Sequence, residues 1–152
     1  MKGFTLIELL IVLAISIALA TIGAVNFVNY RNKQDVDLTV REIVAILRNA
    51  QDRTIAQESG SRFGVHFDNT NSNSGFYTLF MGTTYVSGIS INRVPLRNSI
   101  QFTSPSNGTS TDVIFAPISG LPVASTSIII FSRTNALQSS TINVNSNGQI
   151  QY

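Results

Sequence analysis

Twenty consecutive residues, Leu9 to Val28, carry no charge and are nearly all Leu, Ile, Val, Ala or Phe. No proline occurs before Pro95 to break a helix there. At about 1.5 Å per residue such a helix spans roughly 30 Å, the thickness of a bilayer core. A cleavable secretory signal is the bland alternative. Its apolar region is shorter, about 7–15 residues, and ends at a small-residue site. Ala18-Leu19-Ala20 has that look, but the apolar run continues through Ile22, Val25 and Phe27. Lys2 precedes the run and Arg31 and Lys33 follow it, so flanking charge does not fix an orientation.

Charge divides the chain in three. Residues 4–30 hold a single charged side chain, Glu8, while residues 31–62 hold six basic and five acidic ones. The last 90 residues hold five charges (Asp68, Arg93, Arg97, Asp112, Arg133) against 35 Ser, Thr and Asn. Only 12% of the chain is charged, below the roughly 25% usual for soluble domains. A disordered, charge-rich tail is thereby excluded. Zero cysteines exclude disulfides, thiolate metal sites and cysteine nucleophiles.

Glu8 is the anomaly of the first segment. A carboxylate at the edge of an apolar helix either snorkels to water or needs a positive partner once packed. Around it the chain reads Lys2-Gly3-Phe4-Thr5-Leu6-Ile7-Glu8-Leu9-Leu10-Ile11-Val12. This closely resembles the N-terminal signature of type IV pilins and pseudopilins. The resemblance implies cleavage by a prepilin peptidase between Gly3 and Phe4, then N-methylation of Phe4. It implies that Glu8 pairs with the N-terminal amine of a neighbouring subunit. A three-residue leader is very short for the family, so translation is expected to begin upstream. Major pilins usually carry a proline about two thirds along the apolar helix. Here Ile22-Gly23-Ala24-Val25 occupies that place, with Gly23 as the expected weak point.

In the second segment Val36, Val40, Ile43, Leu47, Ala50 and Thr54 recur at spacings of four and three, a helical stripe that faces a core. Ser59-Gly60 after Glu58 is a stop signal. One helix is expected over about Thr5 to Glu58. The third segment reads as strands: Arg62–Phe67, Gly75–Met81, Thr84–Ile91, Ser99–Thr103, Asp112–Ala116, Ser127–Ser132, Thr141–Asn145 and Gln149–Tyr152. Asn147-Gly148 marks a terminal hairpin. The fold class is α+β, with the long helix packed on an antiparallel sheet domain. The expected organisation is a leader at 1–3, a membrane and filament-core helix at 4–30, its amphipathic half at 31–60, and a β-rich head at 61–152.

This layout is similar to the H-type minor pseudopilins of type II secretion and the FimT-type minor pilins. The likeness implies a subunit anchored in the inner membrane and later in an extracytoplasmic filament. Its partners would be other pilin-type subunits, the prepilin peptidase, and an assembly platform with a separate ATPase. Alternatives are a major pilus subunit, or a minor pilin that captures DNA. DNA-binding relatives carry arginines after the terminal glycine, whereas Gly148-Gln149-Ile150-Gln151-Tyr152 has none. Arg93, Arg97 and Arg133 are the candidate ligand or DNA contacts of the head, with Arg93 and Arg97 flanking Pro95 as a possible small patch.

No catalytic residue, cofactor or metal is expected. The single histidine, His66, alternates with Asp68 on one strand face, and is read as a surface or half-buried side chain with Asp68 and Asp112 isolated. Nucleotide-loop and nucleophile-elbow motifs do not occur. Asn107-Gly108-Thr109 has glycosylation-acceptor spacing, a triplet that arises easily by chance in so Asn- and Thr-rich a segment.

Overall fold

A helix, α1, begins where Thr5 caps it and runs without interruption from Leu6 to Ile55, 50 residues or about 75 Å. The computed structural model describes residues 4–71 and 74–152; the side chains of 21–26 also lie outside the description. Gly23 therefore interrupts nothing in the helical backbone.

The helix stops three residues before the expected Glu58. Ala56 closes it, and Gln57 turns left-handed at φ 52°. Arg53 reaches past the end to Glu58, Nε to Oε2 at 2.6 Å. A single 3₁₀ turn, Glu58–Gly60, leads into the sheets.

Eight strands follow: β1 (Phe63–Asp68), β2 (Phe76–Met81), β3 (Ile89–Pro95), β4 (Ile100–Ser104), β5 (Ser110–Ile114), β6 (Thr126–Ser132), β7 (Asn135–Val144) and β8 (Ile150–Gln151). They form two four-stranded sheets, in the orders β3-β2-β1-β5 and β4-β6-β7-β8, with antiparallel pairing throughout. Two strands differ from expectation by more than two residues. β3 lies at 89–95 rather than 84–91, because residues from Gly82 to Gly88 form a loop closed by Gly88 N–H on the Tyr85 carbonyl. β7 starts at Asn135, earlier than its alternating segment at 141, because β6 carries its pairing out to Ser132 opposite Asn135. The terminal hairpin forms as expected: Asn145 to Gly148 make the turn, with Gly148 at φ 82°, where a side chain is disfavoured.

The core lies where the helix stripe meets both sheets. Val36, Val40, Ile43, Leu47, Ala50 and Thr54 are all buried, as their spacing requires. They meet Phe63, Val65 and Phe67 of β1, Ile128 and Ile130 of β6, and Ile142 and Val144 of β7. Burying each large side chain of this set contributes about 1.5–3 kcal/mol. Polar struts fix the remainder. The Thr54 hydroxyl accepts from Phe63 N–H at 3.0 Å and donates to the Ala50 carbonyl. The fully buried Asn69 donates to the carbonyls of Phe102 and Pro105, tying the first sheet to the second. Gln51 Nε2 donates to the carbonyls of Gly120 and Gly148, at 2.8 and 2.9 Å, and so ties two loops to the helix end.

Candidate functional site

The helix has two halves of opposite character. From Asn32 onward one face is buried against the head. Before it, the apolar side chains have no cover: Phe4 is 84% exposed, Leu6 78%, and those from Leu9 to Leu19 about half exposed or more. An apolar surface of this extent needs lipid or protein around it. Among the described residues, no helix is long and apolar enough to cross a membrane. The stretch expected to span one, 9–28, includes residues 21–26, whose side chains lie outside the description.

At the tip of this stem stands Glu8. Thr5 and Glu8 form a reciprocal capping box. Thr5 N–H and Thr5 Oγ1 both donate to Glu8 Oε2, at 3.0 and 2.9 Å, and Glu8 N–H donates to Thr5 Oγ1 at 3.4 Å. The carboxylate thus sits over the positive end of the helix dipole, exposed and bonded to the backbone N–H of Thr5. The Thr-x-x-Glu spacing that signals such a box was present in the sequence beside the more conspicuous charge anomaly. Gly3 lies outside the described residues, so the geometry of the Gly3–Phe4 bond is not part of the site.

The three head arginines occupy separate settings. Arg93, on β3, lies over the ring of Phe76 with its guanidinium carbon 3.6 Å from the centroid. Arg97, in the β3–β4 connection, pairs with Glu42 of α1 at 2.6 Å, both ends about half exposed. The pair pins the connection to the helix, beside Tyr77. Burial, and then Glu42, push the Tyr77 hydroxyl up to about 12. Arg133, at the β6–β7 turn, donates from its backbone N–H to Ser99 and from Nε toward the Ile100 carbonyl at 3.4 Å. Each arginine has work within the fold.

His66 departs from its expectation. It is buried, 5% exposed, and neither Asp68 nor Asp112 is isolated. His66 Nδ1 is 2.6 Å from Asp112 Oδ1, and Nε2 is 3.6 Å from Asp68 Oδ2. The cause is register: β5 pairs antiparallel to β1 with Asp112 opposite His66. That long-range pairing brings together residues 46 apart in sequence. Among the described residues no group of His, Cys, Asp and Glu is arranged to hold a metal ion. Exposed Asn107 lies in the β4–β5 loop, beside Gly108 at φ 82°.

Comparison with known proteins bears on both ends of the molecule. Residues 1–24 match the family described as the prokaryotic N-terminal methylation motif. A search of curated proteins gives no match. Among solved structures, the fold is similar to that of the minor pseudopilin EpsH from the type 2 secretion system of Vibrio cholerae. The TM-score is 0.55 at 14% sequence identity, over 77% of this chain and 94% of that one. At that identity the likeness concerns the fold: a long N-terminal helix packed against antiparallel sheets. The chain thus carries the prokaryotic N-terminal methylation motif at residues 1–24 and has a fold similar to that of a minor pseudopilin.

Proposed function

We propose that this chain is a structural subunit of a type IV pilus or type II secretion pseudopilus, most consistent with a minor subunit. It is made as a precursor and held in the inner membrane by residues 4–30. Prepilin peptidase cuts it after Gly3 and methylates Phe4. The assembly platform, driven by a separate ATPase, then draws it into the filament. The observation that carries this reading is the uncovered apolar stem with Glu8 at its tip, on a chain that begins with the methylation motif.

The physical logic is consistent. Cleavage after Gly3 turns the Phe4 amide into an ammonium beside a carboxylate. In a packed stem of low dielectric that carboxylate is tolerable only when paired. Pairing to the ammonium of an adjacent subunit would fix axial register while the apolar stems bury one another. The likeness to a minor pseudopilin supports the minor role. The DNA-capturing alternative draws less support from the head, where Arg97 is paired with Glu42 and the three arginines occupy separate settings.

The test is incorporation. Filaments sheared from cells expressing the wild-type chain should contain it. Glu8→Leu should leave the chain in the membrane fraction with an intact head. Wild-type chain absent from filaments, or a Glu8→Leu variant incorporated equally well, would contradict the proposal.

A further inference from the structure

Three elements converge on the only histidine of the chain. His66 lies on β1, with Asp112 of β5 on its Nδ1 side at 2.6 Å and Asp68 of β1 on its Nε2 side at 3.6 Å. The loop between β2 and β3 supplies the third. Tyr85 stacks parallel on the imidazole, with centroids 3.8 Å apart and planes within 5°. Its backbone N–H donates to Asp112 Oδ2 at 3.2 Å. Asp112 is therefore shared, one oxygen facing the histidine and the other holding the loop. Tyr85 also rests edge-on against Phe80 at 5.7 Å. Next along the loop, Val86 is 96% exposed.

The titratable and charged groups around the imidazole are few. Asp68 faces it from β1, Asp112 from β5 and Tyr85 from the loop. From β2 comes Phe76, tilted at 6.1 Å, with Arg93 of β3 stacked on it. Proton state decides how well this cluster is satisfied. A neutral imidazole has one N–H and one lone pair, so it serves one carboxylate and turns a lone pair toward the other. An imidazolium donates toward both carboxylates. It also places positive charge on the face of the Tyr85 ring, which favours the stack. Asp68 is already adapted to its ionised form. Burial pushes its carboxyl up, but hydrogen bonds from the side chain and backbone of Thr70, and the His66 side chain, outweigh that and hold it below its ordinary value.

We propose that the Asp112–His66–Asp68 cluster is a proton-dependent clamp on the loop of residues 82–88. It holds Tyr85 down, and Val86 in its displayed position, while the imidazole is protonated, and it loosens as the imidazole loses its proton. The inference concerns the head alone and does not depend on the chain entering a filament.

The test uses the full chain in detergent micelles. Nuclear magnetic resonance follows the single imidazole and the exchange of the Tyr85 amide from pH 5.5 to 9, with rates normalised to those of an unstructured peptide. Tyr85 protection should fall at least fivefold over the same pH interval in which the imidazole titrates. In Asp68→Asn, which removes the carboxylate facing Nε2, and in His66→Gln, that dependence should flatten. Asp68→Asn leaves the buried ring in place and so remains readable if His66→Gln does not fold. Protection that stays flat in the wild type while the imidazole titrates overturns the clamp. A pH dependence that persists unchanged in Asp68→Asn overturns it too.

Discussion

Replacing Gln51 by Leu tests how the head is fastened to the far end of the helix. The side chain is half-buried, and its amide donates to two carbonyls from different loops, Gly120 at 2.8 Å and Gly148 at 2.9 Å. Leucine has similar bulk and no donor, so packing is largely kept while both bonds are lost. Each contributes about 0.5–1.5 kcal/mol net, so the loss is about 1–3 kcal/mol. For a chain of this size that corresponds to a fall of about 2–12 °C in the melting midpoint. Circular dichroism melting of the full chain in micelles gives the global value. Amide exchange adds the local one, with the β5–β6 loop and the terminal turn losing protection first. Asn49→Ala, two residues earlier and exposed, is the control and should stay within about 0.5 kcal/mol. A Gln51→Leu variant that melts with the wild type would show that water satisfies those carbonyls, and the reasoning about the strut would fail.

Other perturbations have equally definite outcomes. Leu47→Ala empties a fully buried position under both sheets and should destabilise the head by about 2–5 kcal/mol in chemical denaturation. Thr54→Val removes the acceptor of the buried Phe63 N–H and should cost about 1–3 kcal/mol in the same assay. The Asp68 carboxyl is held below its ordinary value of 3.8, so its contribution is present above that pH and lost as pH falls through the lowered folded value. In acid titration Asp68→Asn should flatten the stability profile below about pH 4. With its hydroxyl raised to about 12, Tyr77 contributes stability that is present below the ordinary value of 10.0 and lost as pH rises from there toward 12. Ultraviolet titration should find one of the four tyrosines ionising late, together with unfolding.

The legibility of this molecule in its sequence follows the range of its interactions. The stripe from Val36 to Thr54 repeats at a local period, so all six residues it names are buried, while Thr39 and Val44, buried on the same face, fall outside that simple spacing. The terminal hairpin was legible because Asn147-Gly148 is a local turn signal. β3 was misplaced because Thr84, Tyr85 and Val86 have strand chemistry but are drawn into a loop by tertiary partners, Asp112 and His66. The histidine cluster itself depends on the β1–β5 register, which no local pattern encodes. Gln51 gave no signal because a half-exposed helical glutamine looks the same with or without two distant carbonyls to bind. Of the candidate site, the motif from Gly3 to Glu8 was readable as a string, while the Thr5–Glu8 capping box needed the spacing to be noticed beside the charge.

The claim on which the account rests is that residues 1–3 are a leader and Phe4 is the working N-terminus. Intact-mass and N-terminal peptide mass spectrometry of the chain recovered from sheared filaments tests it directly. The account predicts a mature chain that lacks Met1-Lys2-Gly3 and begins with N-methylated Phe4. A chain that begins elsewhere, or that bears an unmodified Phe4, would contradict it.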